Sequence, residues 1–232
     1  EDNSVITSDL FIDCTGFNSI LLGKFMQEKF ISTAEFLPNN RAWTAHIPYT
    51  DKEKELETFT NCTAINNGWV WNIPLWNRIG SGYVYCNNFI SDDDALEEYK
   101  QYLDSDKMVV HDQNRSKKLK FKKVIIHNGY YERSWVNNVV AIGLSAGFLE
   151  PLESTGLLLT HKACFTLIDA LEREVITQYD IDNFNYIIKN RIEKMFDFVG
   201  MHYALSQRDD TPYWKNITSK KYPENYFKNS VE

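Results

Sequence analysis

The chain has 232 residues, 43% of them hydrophobic, and 25 Lys and Arg against 32 Asp and Glu give a net charge of −7. That length supports a large buried core in one large domain or two small ones. The acidic balance argues against the basic stripe that nucleic acid requires, and no apolar run approaches the ~20 residues that span a bilayer. Neither a nucleic acid nor a membrane is therefore an expected partner.

In chain order, residues 10–14 read as a buried strand, Thr15-Gly16-Phe17-Asn18 as a tight turn, and residues 20–26 as a short apolar helix. A buried parallel strand needs neighbours on both sides, so the segment is expected to be the later part of a longer protein. A strand over 42–49 and a charged turn over 51–55 follow. Three short β segments, at 64–65, 69–73 and 82–86, are punctuated by Asn66-Asn67-Gly68 and by 77–81, which predicts an antiparallel sheet. Trp69, Trp71 and Ile73 alternate on one side of that sheet, a pattern of burial, and Pro74 ends pairing along one edge. Ser91 before Asp92-Asp93-Asp94 caps a helix running to about residue 103.

Residues 104–119 read as a polar surface loop, and 121–127 and 136–142 as strands. Residues 156–171 are apolar on most faces and predict a core helix, with His161 as a core histidine on it and His202 as another further on. Ile181, Phe184, Ile188, Ile192, Met195 and Val199 keep the three-and-four spacing of an amphipathic helix. Cys14, Cys62, Cys86 and Cys164 follow no metal-binding spacing, so no metal is expected, and free thiols suit a cytoplasmic protein.

The densest signal is Gly143-Leu144-Ser145-Ala146-Gly147-Phe148-Leu149-Glu150-Pro151-Leu152-Glu153-Ser154-Thr155-Gly156. A strand here runs into small residues, and a Glu-Ser-Thr-Gly step then opens a helix. Free N–H groups and the positive dipole end collect at such a start, which welcomes an anion. A plain strand–helix junction capped by Ser154 or Thr155 has the same pattern.

The order of four blocks resembles the flavin-dependent halogenases of the tryptophan halogenase family. They are Asp9 through Phe17, the WxWxIP segment Trp69-Val70-Trp71-Asn72-Ile73-Pro74, the block ending at Gly156, and His202-Tyr203 with Arg208 through Trp214. The resemblance implies an α/β (α+β) fold, that of the FAD-dependent monooxygenases. The fold would be incomplete, with an antiparallel substrate-side sheet and C-terminal helices. Residues 1–27 would be part of the FAD-binding domain, 28–127 mainly the antiparallel region with a surface helix, 128–175 the FAD-domain strand and core helix, and 176–232 the C-terminal helical region.

The implied activity uses FAD reduced by a partner flavin reductase, with O₂ and a halide ion, to halogenate a small indole- or phenol-like aromatic. Glu153 and Ser154 would be catalytic, and Thr155 and Gly156 would hold the halide. Thr15, Gly16, Gly143, Leu144, Ser145, Ala146 and Gly147 would contact the cofactor. Trp69, Trp71, Ile73 and Pro74 would separate flavin from substrate. No GxGxxG occurs, and no lysine stands in the family's catalytic context, so the segment alone is expected to be inactive. A flavin monooxygenase of the same fold and a non-catalytic relic remain alternatives, and homo-oligomerisation is left open.

Overall fold

The computed structural model describes residues 4–219. Residues 1–3 and 220–232, at the outer ends of the expected FAD-domain and helical segments, lie outside the described residues. The chain runs through β1 (Phe11–Asp13), a 3-10 turn (Gly16–Asn18), a short π-helix (Ile20–Phe25), β2 (Phe30–Ser32) and β3 (Arg41–Ile47). Next come α1 (Lys52–Glu55), β4 (Asn61–Ile65), β5 (Gly68–Leu75), β6 (Arg78–Tyr85), α2 (Asp92–Leu103) and β7 (Phe121–Ile125). The remainder is β8 (Gly129–Tyr131), β9 (Trp135–Val136), β10 (Val139–Ala141), β11 (Gly147–Phe148), α3 (Thr155–Leu171), α4 (Gln178–Ala204) and α5 (Pro212–Thr218). Two compact units result, one from residues 4–35 and 128–202, the other from 36–127 and 203–219.

In the first unit, β1 lies parallel to β10, and β10 turns back on β9. The single strand expected over 136–142 is therefore a hairpin. Its reversal is at Asn137, which takes a left-handed φ of 52° that asparagine tolerates well, and Trp135 Nε1 donates to Asn137 O at 3.0 Å. A second small sheet, ordered β11-β8-β2, is antiparallel throughout. Trp135, Val140 and Ile142 pack with Ala163 and Leu167 of α3 and with Phe184 and Ile188 of α4.

Two expectations change here. Ile12 is 49% exposed, so β1 is half-buried, because among the described residues it has a strand neighbour only in β10. Helix α3 likewise buries one stripe (Ala163, Leu167, Ala170), while Leu157 and Phe165 stay 72% and 64% exposed. A small sheet and one neighbouring helix can cover only part of a helix that is apolar on most sides.

The second unit is a five-stranded antiparallel sheet ordered β4-β5-β6-β3-β7. Register sorts its side chains by face. Val70, Tyr83, Tyr85, Ala45 and Ile47 join Ala95, Tyr99 and Leu103 of α2 in one core. Ser91 caps α2 through the Asp94 N–H, as the local pattern predicts. Trp69, Trp71 and Ile73 occupy the opposite face, where they pair with Val84, Gly82 and Gly80. The β4 ladder stops at Asn72 while the β6 ladder continues past Pro74, so the proline sits where its missing N–H costs nothing.

Gly82 has a specific task. A Cβ there would lie 2.2 Å from the Trp71 ring and 2.8 Å from Trp43 O. Gly82→Ala is expected to displace the Trp71 indole and cost about 1–3 kcal/mol. The urea midpoint and the tryptophan emission maximum should both move. An unchanged emission maximum would mean that the ring does not lie across this glycine.

The charged turn and the polar loop are also more structured than their composition suggests. Residues 52–55 form a helical turn that buries Glu55, whose Oε1 pairs with Arg115 Nη2 at 2.8 Å. Glu55 Oε2 accepts from the Thr50 and Asp51 N–H groups. Ser116 donates twice to Asp104, so the 104–119 segment is pinned at both ends. A buried ion pair of this kind cannot be read from a run of charges.

Candidate active site

The paired strands β1 and β10 end together, Asp13 opposite Ala141. The loops leaving those ends carry Thr15-Gly16 and residues 143–147. Ligands of parallel sheets bind beyond the carboxyl ends of the strands, because the loops there converge. Gly16 and Gly143 are both left-handed, at φ 67° and 73°. A Cβ on Gly16 would meet nothing within 4 Å, and one on Gly143 only the Thr160 side chain from 3.6 Å. Two adjacent stretches of bare main chain therefore face open space, a surface a flat cofactor can lie against. Phe17 meets Phe148 edge-on at 5.3 Å and ties the two loops together.

What holds these loops is Asp13, which the sequence reading passes over. Its side chain is fully buried. Oδ1 accepts from the Thr15 N–H at 3.0 Å and the Thr15 hydroxyl at 2.6 Å. Oδ2 accepts from the Leu21 and Leu22 N–H groups at 2.9 and 3.0 Å, at the start of the π-helix. Burial pushes this carboxyl up, yet the hydrogen bonds from Thr15, Leu22 and Leu21 together outweigh it and hold the group below the usual aspartate range.

Ser145 is equally committed. Its buried hydroxyl bonds to Asp13 O and Ile142 O, and its own carbonyl accepts from Ser19 Oγ. The Thr15 hydroxyl also accepts from the Ile20 N–H at 2.8 Å. Leu144 is 45% exposed and Ala146 packs against the small core of Leu22, Val139 and Ala141. Gly147 is small because β8 passes it closely, a Cβ there falling 2.7 Å from Gly129 O.

At the start of α3 the capping expectation fails. Ser154 sits at the N-cap with left-handed backbone (φ 55°, ψ 25°), and its side chain makes no capping hydrogen bond. A cap needs extended backbone to aim its oxygen back at the first turn. Here the Ser154 N–H closes a tight turn on Pro151 O instead. Thr155 does not cap either: its hydroxyl is buried and has no hydrogen-bond partner among the described residues. The helix thus opens with uncapped N–H groups and a buried, unpartnered hydroxyl, while Gly156 beside them faces open space. Free N–H groups and a hydroxyl at a helix start are the kind of donors that an anion accepts from.

Glu153 precedes this start and is 48% exposed. Its Oε1 lies 3.0 Å from His202 Nε2, near the C-terminus of α4, and His202 Nδ1 lies 2.9 Å from Phe198 O. His202 is therefore a partner of the candidate site rather than a core histidine. His161 is exposed on α3, also contrary to expectation, because it lies off the single buried stripe.

Trp69 and Trp71 belong to the other unit. Trp69 is 3% exposed, Trp71 is partly buried, and their rings sit 5.9 Å apart and tilted by 56°. Ile73 is 37% exposed and Pro74 partly buried. Among the described residues no cluster of His, Cys, Asp or Glu could hold a metal, and no helix is long and apolar enough to cross a membrane.

The tryptophan halogenase family model matches residues 1–231. The chain belongs to the tryptophan halogenase family. It is 38% identical over 215 residues to the tryptophan 7-halogenase KtzQ of Kutzneria sp. (strain 744), covering 93% of this chain and 39% of that protein. The crystal structure of the tryptophan 6-halogenase SttH from Streptomyces toxytricini superposes with a TM-score of 0.90 at 32% identity, covering 98% of this chain and 43% of that one. The apo structure of VirX1 matches at 46% identity with a TM-score of 0.89, covering 100% and 42%. The mixed α/β architecture, with antiparallel sheets and C-terminal helices, is that of the halogenase structures. The chain spans about two fifths of the length of these relatives.

Proposed function

We propose that this chain supplies the halide-holding and acid–base part of an FAD-dependent halogenase acting on an electron-rich aromatic of the indole or phenol class. Support comes first from the uncapped start of α3, with the Thr155 hydroxyl buried and unpartnered beside it. Such a group costs stability until it is hydrogen-bonded, and a halide is an acceptor of the right size and charge. The Thr155 and Gly156 N–H groups would hold the ion. Thr15, Gly16 and residues 143–147 would form the wall against which FAD lies, with Gly16 and Gly143 permitting the closest approach.

When bound and reduced by a flavin reductase, FAD supplies with O₂ the oxidation of halide to hypohalous acid. The residues of this chain do the rest. Glu153 orients the halogenating agent or takes the ring proton, Ser154 sets the turn that presents it, and Trp69, Trp71, Ile73 and Pro74 keep the aromatic from the flavin. The sequence has no GxGxxG, so the grip on the FAD pyrophosphate and a catalytic lysine belong to residues outside it, and this chain alone is inactive. We place the enzyme in the cytoplasm.

The test is turnover by the full-length polypeptide carrying this chain, with reduced FAD, O₂ and bromide. Tryptophan is the first substrate, since relatives are named for halogenating it. A product carrying the bromine isotope doublet supports the reading, and one carrying added oxygen instead overturns it. Thr155→Val should separate the two roles of that residue. Removing an unpartnered buried hydroxyl stabilises the chain by about 1 kcal/mol in a melt without halide, while loss of a donor to an anion raises the bromide KM roughly tenfold. Equal bromide KM values would exclude Thr155 Oγ1 from the halide site.

A further inference from the structure

We propose that His202 is a positioning residue for Glu153, holding its Oε1 through a shared proton so that Oε2 is the oxygen offered to the aromatic ring. The inference deepens the halogenase reading and rests on it for the role of Glu153. Geometry fixes the imidazole first. Phe198 O can only accept, so His202 Nδ1, 2.9 Å away, carries a hydrogen. The Phe198 ring stands edge-on to the imidazole at 5.0 Å and 89°, which holds its plane. With Nδ1 protonated, a neutral ring has a bare Nε2, and two bare acceptors do not approach to 3.0 Å favourably. One proton therefore lies between Nε2 and Oε1, as imidazolium with carboxylate or as imidazole with carboxylic acid.

The consequence for chemistry is directional. Glu153 Oε2 makes no hydrogen bond among the described residues, whereas Oε1 is occupied. With the shared proton held between Nε2 and Oε1, Oε2 is the oxygen left free to accept. In the halogenation, hypohalous acid gives its halogen to a ring carbon as the O–halogen bond breaks with its electron pair on oxygen, and the hydroxide so released takes a proton from solvent and leaves as water. The ring C–H bond then breaks, its electron pair restores aromaticity, and its proton passes to Oε2 and on to the solvent that reaches this half-exposed side chain. An unanchored glutamate would spread over several rotamers and present either oxygen, with the entropic loss that follows.

Two measurements test the inference. In the full chain, the imidazole ¹⁵N spectrum should show a protonated Nδ1, and Glu153→Gln should shift the Nε2 resonance of His202 while leaving those of His46 and His161 in place. An Nε2 resonance blind to that substitution overturns the pairing. In the full-length polypeptide, His202→Phe should lower brominated product per flavin oxidised by about 10–100-fold, the range for losing an orienting partner, with the rate of flavin oxidation unchanged. His202→Gln, which keeps a donor of similar reach, should recover to within about threefold of wild type. If His202→Phe does not fold, His202→Asn, too short to reach Glu153, takes its place beside Gln. Equal yields in Phe and wild type, or a Gln variant as poor as Phe or Asn, overturn the inference alone. A wild type that never brominates sinks the halogenase reading, and the ¹⁵N spectrum still decides the pair.

Discussion

Glu153→Gln in the full-length polypeptide is expected to cut halogenated product per flavin oxidised by about 10²–10⁴-fold, the usual loss when a positioned acid–base group is removed. Glutamine keeps the length and the hydrogen-bonding shape of the side chain but cannot take a ring proton. The substitution should leave the fold alone, because the carboxylate is about half exposed and its contact with His202 is a surface-type pair. Flavin oxidation should also continue at its wild-type rate, since in the proposed site Thr155 and Gly156 would hold the halide through groups the substitution does not touch. Hypohalous acid should then escape and be detectable with a thiol scavenger. Single-turnover mixing with bromide and mass analysis of the aromatic reads both quantities at once. Product yield within threefold of wild type would remove Glu153 from the chemistry.

What could be seen in advance followed the range of each interaction along the chain. Ser91 capping α2 is a three-residue signal, and it is found where the pattern places it. Hairpin punctuation and period-2 aromatics located the antiparallel sheet, because turn chemistry and pleat alternation are also local. The features that escaped bring distant residues together. Glu55 finds Arg115 across 60 residues, and Glu153 finds His202 across 49. Nothing in the segment of any of these residues names its partner, even where, as at Glu153, the residue itself stands out.

Ser154 failed for a different reason. Glu-Ser-Thr-Gly carries every local mark of a capped helix, but in the turn closed on Pro151 the serine takes left-handed backbone and its side chain makes no capping bond. A left-handed non-glycine residue carries strain of order 1 kcal/mol or more, and such strain concentrates at functional sites. The departure from the local rule therefore falls at the residue beside the halide site proposed above, where a sequence rule would give way to a binding requirement.

Asp13→Ala is expected to be the most damaging single change to the fold, costing about 3–5 kcal/mol, the range for breaking a buried charged network. It strips the acceptor from four donors, the N–H groups of Thr15, Leu21 and Leu22 and the Thr15 hydroxyl. The melting temperature should fall on the order of 10 °C, and the full-length polypeptide should lose flavin even though Asp13 itself supports the loop rather than the cofactor. Asp13→Asn should cost less. The amide can turn its nitrogen toward the Thr15 hydroxyl, which can accept, and sacrifice only the Thr15 N–H.

Acid titration separates the charge from the shape. The folded Asp13 carboxyl lies below its unfolded value, so its stabilisation is present above the usual aspartate range and is lost as pH falls through that range. Asp197 acts in the opposite sense. Burial, with the Glu193 carboxylate adding to it, pushes its carboxyl up to about 6, so the folded state holds that proton more tightly. Its effect on stability is therefore a decline as pH rises from the usual aspartate range to about 6. In an Asp197→Asn background the acid limb should be steeper to read, and adding Asp13→Asn should flatten it from the usual aspartate range downward. An acid limb unchanged by Asp13→Asn would mean that some other carboxylate fixes the loops at the strand ends.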